Sequence, residues 1–171
     1  GLAAFSSRGP ADDGRTKPDV VAPGTFILST KSRSTTDTGW SAHSNSDYTY
    51  MGGTSMATPI TAGASALIYQ HLIDNLAHTN PSSALVKGIF AASAHDMAGQ
   101  YSSSTNGAGE TAPNQHEGWG IIDLDRAVNS TFVDGETVST SETLGWKFTV
   151  PAGAPDLKVM LSWTDPASTP A

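Results

Sequence analysis

The chain has no cysteine, no long apolar run and few basic residues, and each shortage closes a class of function. Without cysteine there is no disulfide and no thiolate metal site. That fits a reducing compartment or an exported bacterial protein stapled by other means, so cysteine usage leaves localisation open. No stretch approaches the roughly 20 apolar residues that span a bilayer, and the opening GLAAFSSRGP carries no basic-then-apolar leader. No membrane anchor is expected. Lys and Arg number 9 against 16 Asp and Glu, a net charge of -7, so a phosphate-neutralising surface is missing and nucleic acid is not an expected partner. What is present is 171 residues, 37% of them hydrophobic, enough for one packed domain or for one domain and part of another.

The first fifty residues are rich in Gly, Pro, Ser, Thr and Asp. Their short apolar pieces, DVVAP and FILST, read as brief buried strands between turns. From Ile60 the pattern becomes helical. Ile60, Ala64, Leu67, Ile68, Leu72, Ile73 and Leu76 recur at helical spacing, while Ala62, Gly63, Ser65 and Ala66 keep the other faces small. A helix small and apolar all round is expected to be approached on several sides. In NPSSALVKGIFAASA a second helix is predicted, with Asn80 as N-cap, Pro81 in the first position and Leu85, Ile89 and Phe90 as its buried stripe. Between His95 and Gly118 the chain is polar, Gly-rich and without period, which reads as a long surface loop. GWGIIDLDRAV predicts a turn and a short helix ending near Asn129. Thr137–Val150 and Leu157–Trp163 alternate apolar and polar residues, predicting two antiparallel strands joined at PAGAPD. Two such strands do not stand alone in water, so a β-rich second domain is expected to begin here and to be incomplete.

The chemistry concentrates in YMGGTSMATP, residues 50 to 59. A serine hydroxyl is a weak nucleophile unless a base takes its proton and donors await the oxyanion. A helix N-terminus offers unpaired N–H groups and partial positive charge, and Gly52 and Gly53 leave room for a substrate backbone. Two local readings compete. In one the helix starts at Pro59 with Thr58 as N-cap, leaving Ser55 in a loop. In the other it starts near Ser55 and tolerates a proline in its early turns. A Gly-rich turn with a serine cap explains the motif without any chemistry, so the residues alone leave nucleophile and cap both open.

GTSMATP at 53 to 59, with SSRGP at 6 to 10 and DGRTKPDVVAPGTFILST at 13 to 30, resembles the C-terminal half of the catalytic domain of subtilisin-like serine peptidases. The likeness extends through NPSSALVKGIF and GWGIIDLDRAV. LGWKFTVPAGAPDLKVMLSWTDPAS resembles the start of the β-sandwich that follows the catalytic domain in one subgroup of bacterial alkaline subtilases. The resemblance implies an α/β fold: the C-terminal portion of a subtilisin-like parallel-sheet catalytic domain over residues 1–130, then a truncated antiparallel β-sandwich over 131–171. It implies Ser55 as nucleophile, its own N–H as an oxyanion donor, and Gly53 and Thr54 beside the scissile bond. Met56 follows the serine as in the family. Structural calcium is common there, but Asp12, Asp13 and Asp19 lack the oxygen spacing of a calcium loop and read as turn and capping residues. No cofactor is needed for the chemistry, and no metal ligand is assigned.

One departure matters. The family carries its Asp and His motifs and the asparagine of the oxyanion hole ahead of the serine, and none of these patterns occurs among residues 1–54. His71 lies about four turns along the serine's own helix and out of reach; His43, in SAHSNS, has no family match. His78, His95 and His116 read as surface residues. The expectation is a secreted serine endopeptidase, acting on proteins or peptides, of which this chain is an incomplete and by itself inactive piece. Its partner would be the N-terminal half of the catalytic domain, and exposed sheet edges would favour self-association. Two other readings stay open: a non-catalytic structural or complementing module that assembles with a separate N-terminal chain, and an anion-binding module using the GGTS helix start. Trp119 is expected to pack between helix and sheet, and the sequon at Asn129 has no expected role in a bacterial protein.

Overall fold

The structure, a computed structural model, describes residues 1–97, 111–154 and 157–164. Its elements run β1 (Ile27–Thr30), β2 (Ser41–Ala42), β3 (Tyr48–Met51), α1 (Thr54–Asp74), α2 (Ser83–Ser93) and α3 (Leu124–Val128). Because α1 repeats every 3.6 residues, Ala64, Ile68 and Leu72 fall one above another and form its buried stripe. They pack on Leu85, Ile89 and Phe90 of α2 and Ala127 of α3, with Val20, Ile122 and Phe132 around them. Each large side chain fully buried here is worth about 1.5–3 kcal/mol. The core therefore lies in the second half of α1, well away from its N-terminus.

The other faces of α1 are not covered. Ala62, Gly63 and Ala66 are exposed and Leu67 is 55% exposed, contrary to the expectation of a helix approached on several sides. Two short helices can cover only one stripe of a cylinder.

α2 begins later than its sequence predicts. Ser82, rather than Asn80, is the N-cap, its hydroxyl accepting from Leu85 N at 2.9 Å. Asp134 holds Ser82 there, accepting from its hydroxyl at 2.6 Å and its N–H at 2.9 Å. Pro81 is buried before the helix instead of inside it. Asp123 caps α3 through Arg126 N.

The three strands form an antiparallel sheet in the order β1-β3-β2, with Ile27 opposite Met51 and Ser41 opposite Tyr50. FILST thus becomes β1, but it is mostly exposed. DVVAP contributes only an isolated parallel bridge, Val21 to Ile121. Among the described residues no extended parallel sheet occurs, so that part of the expected fold is absent here. Nor do the described residues of 131–164 form a strand. Trp146, Phe148, Val150, Leu157, Val159, Leu161 and Trp163 are all exposed: the alternating pattern is present without the further strands that a stable sheet requires.

The polar stretch before Gly118 also departs from expectation. Residues 98–110 lie outside the described residues, but Asn114, His116, Glu117 and Gly118 are buried rather than part of a surface loop. Glu117 is fully buried, and its carboxylate accepts from Met97 N at 2.7 Å and Asn114 Nδ2 at 3.0 Å. Asn114 Oδ1 in turn accepts from the N–H groups of His116 and Glu117. Polar residues go inside when they satisfy one another.

Candidate active site

The structure settles where the serine helix starts. Gly53 is the N-cap, with φ 143° and no side-chain cap, a backbone conformation that favours glycine. Thr54 and Ser55 are therefore the first helical residues, and Thr58 and Pro59 lie within α1. Ser55 is the second residue of the helix and not its cap.

Two close approaches fix this helix start. Gly53 N donates to Gly24 O at 2.7 Å, and a Cβ on Gly24 would stand 2.9 Å from Gly53 O. The VVAPG turn and the serine turn thus lie backbone to backbone. Pro59 has no N–H to give Ser55 O, so that helical bond is missing. The neighbouring turns are tied by hydroxyls instead: Thr58 Oγ1 donates to Thr54 O, and Thr61 Oγ1 to Ala57 O.

At this end of α1, Thr54 and Ser55 are exposed, the first turn holds no acidic residue, and the Ser55 N–H has no acceptor among the described residues. The result is a solvent-facing hydroxyl among unpaired donors at the positive end of a 21-residue helix. A cavity of about 260 Å³ adjoins it, lined in part by Gly24, Thr25, Gly53, Thr54 and Met97. The larger hollow, about 850 Å³, lies between the far half of α1 and the start of α2, along Tyr69, Ile73, Pro81 and Val86. It includes no residue of the serine motif.

Among the described residues the Ser55 hydroxyl has no hydrogen-bond partner, so no described histidine bonds it. His71 is sixteen residues along α1, about 24 Å at 1.5 Å per residue. His43 lies against the rings of Tyr48 and Tyr50. His78, expected on the surface, is half-buried, 2.8 Å from Asp134 and packed on Phe132. His95 is exposed but bonds Asp123 at 2.6 Å; because Arg126 can only donate to His95 Nδ1, the proton of a neutral ring sits on Nε2. His116 is buried, which corrects its surface reading.

Two of the acidic residues near the start of the chain, Asp13 and Asp19, are matched by cations. Asp13 pairs with Arg15. Asp19 pairs with Lys17 and, at 3.0 Å, with Lys87; burial raises its carboxyl, but the two lysines outweigh this and hold it below the usual range. No group of three or more His, Asp or Glu side chains that could hold a metal occurs among the described residues. Trp119 is half-buried and faces Lys158 Nζ, 5.7 Å from its ring centre.

Sequence reasoning missed one feature beside the serine. Trp40 lies over Gly52 and meets Phe5 and Phe26 edge-on. A single tryptophan in a polar loop gives no sign of this, and only the adjacent Gly52–Gly53 pair hinted that something comes close.

Among curated proteins the chain is 34% identical over 142 residues to the serine protease/ABC transporter B family protein tagB of Dictyostelium discoideum, covering 71% of this chain and 8% of tagB. Over 71 residues it is 49% identical to the serine protease AprX of Bacillus subtilis, covering 40% of this chain and 16% of AprX. The chain thus spans a small part of the relatives it matches. The solved structure of the Clostridium perfringens CspB protease superposes with a TM-score of 0.53 at 28% identity, over 74% of this chain and 22% of that one. No helix among the described residues is long and apolar enough to cross a membrane. Residues 1–120 match the model of the Peptidase S8 subtilase family, and the chain belongs to that family.

Proposed function

We propose that this chain carries the nucleophile of a serine endopeptidase, with Ser55 forming the acyl-enzyme. The observation that carries this is the exposed Ser55 hydroxyl at the bare N-terminus of α1, beside the glycine-walled turn. Ser55 Oγ would bond to the carbonyl carbon of the scissile peptide while its proton passes to a general base. The oxyanion so formed would be met by the Ser55 N–H. When the C–N bond breaks, the amine leaves with that proton, and water then hydrolyses the ester and restores the serine. Gly53 and Thr54 would line the track of the substrate backbone.

The base is not assigned within this chain, since each histidine is engaged or distant. It would come from a His–Asp pair, with an asparagine donor, on the N-terminal half of the catalytic domain. The chain alone is accordingly expected to be inactive, and the complete enzyme to act outside the cell on proteins or peptides. The uncovered face of α1, where Ala62, Gly63, Ala66 and Leu67 are exposed, is a surface on which that half would pack.

Hydrolysis of a fluorogenic casein substrate by the full-length gene product and its Ser55→Ala variant tests the assignment. Loss of about 10³-fold or more in kcat at unchanged Tm is expected, as for removal of other activated nucleophiles. Equal activity in the two proteins would overturn it.

A further inference from the structure

Beside the candidate nucleophile stands an aromatic group that the serine chemistry does not use. The benzo edge of Trp40 occupies the space that a side chain at position 52 would fill: a Cβ on Gly52 would be 2.1 Å from Trp40 Cη2 and 2.3 Å from Cζ3. Phe5 and Phe26 meet the indole edge-on, with ring centres 5.8 and 5.5 Å away. Such pairs hold one another in a defined geometry.

The indole is also held from its backbone. Trp40 N donates to Tyr50 O at 2.7 Å, and Gly39 (φ 60°) fits against Met51 and Tyr50, where a Cβ would meet Tyr50 O at 2.6 Å. Phe26 takes a left-handed conformation, φ 51°, uncommon outside glycine and more often kept where it serves a function. Yet Trp40 remains 44% and Phe26 59% exposed. A built, pre-positioned aromatic group open to solvent has the character of a contact surface.

Its place identifies the occupant. Gly52 is three residues before Ser55, so the two α-carbons are at most about 11 Å apart at ~3.6 Å per residue. A peptide acylating Ser55 in extended form sets down a side chain about every 3.3 Å. A residue within about three of the scissile bond whose side chain faces Gly52 would therefore lie within reach of the indole.

We propose that Trp40, with Phe5 and Phe26, forms a shelf that receives an aromatic or large aliphatic side chain of the peptide substrate, making Trp40 a specificity residue. This rests on Ser55 as the nucleophile. Gly52 is required because any side chain there would displace the indole from the substrate track.

The test is kcat/KM for peptides matched except for Phe, Leu, Ala or Asp at each of three positions on either side of the scissile bond. The full-length gene product is compared with Trp40→Ala and Trp40→Phe. Wild type is expected to prefer Phe or Leu over Ala at one position. That ratio should fall about tenfold in Trp40→Ala, the scale of one apolar contact, and less in Trp40→Phe. A uniform change for all peptides would make Trp40 scaffold only and overturn the proposal. So would the lack of any apolar preference in wild type, a result that needs no folded variant. Absence of hydrolysis by wild type would instead overturn Ser55 as nucleophile, and the shelf's role with it.

Discussion

Asp134 illustrates how one residue ties distant parts of this chain together. Burial raises its carboxyl, but bonds from the Ser82 hydroxyl, the Ser82 N–H and His78 Nε2 outweigh that and lower it to about 2. A carboxylate depressed in the folded state stabilises above its unfolded value, near 3.8, and loses that contribution as pH falls through about 2. The shift corresponds to about 2 kcal/mol. Asp134→Asn is therefore expected to lower unfolding stability by about that amount at pH 7, the deficit shrinking between pH 4 and 2. A deficit independent of pH in urea unfolding would contradict the depressed carboxyl. Asp134 is also why the start of α2 was misread. Asn80–Pro81 has the local form of a cap, whereas the residue that fixes Ser82 is 52 positions away in sequence. His116 and Glu117 were misread for a related reason, because polar composition suggests solvent when mutual hydrogen bonds in fact permit burial.

Among the elements, α1 was the most legible in its body, where the hydrophobic period is long. Its start was not, because Thr58–Pro59 offers a local cap that competes with the Gly53 start the structure shows. Periodicity does not say how many faces are covered, and only the stripe Ala64, Ile68, Leu72 is buried. Gly63 distinguishes these cases: a Cβ there meets nothing within 4 Å. Gly63→Ala is expected to stabilise this chain by about 0.5–1 kcal/mol through helix propensity, read as a raised Tm. A lowered Tm would mean that something packs on that face. Gly53→Ala is the counterpart. With φ 143° at the cap, it is expected to cost about 1–3 kcal/mol and to disorder the serine turn, seen as faster amide exchange at Ser55 and Met56. The β pattern of 137–163 was legible as alternation, but pairing depends on partner strands. Instead of a strand, the segment 157–164 contributes Lys158, which donates to Ala91 O at 2.9 Å near the end of α2. Removing that contact with Lys158→Ala should raise proteolysis of this segment while leaving the α1–α2 core protected. Unchanged cleavage would show that the contact does not hold it.

For the whole molecule, the family was readable because the serine motif and its flanking GTSMATP, VVAPG and GWG signatures are contiguous. The catalytic base was not, since among the described residues nothing hydrogen-bonds to the Ser55 hydroxyl. The core sits at one end of α1 and the candidate nucleophile at the other, so changes at the serine should leave stability nearly untouched. The most direct test is a fluorophosphonate probe applied to the full-length gene product and to this chain alone, with peptide mass spectrometry locating the adduct. The expected result is an adduct on Ser55 in the full-length product and none on the isolated chain. An adduct on another serine, or no adduct in the full-length product under conditions that label a control subtilase, would contradict Ser55 as the nucleophile.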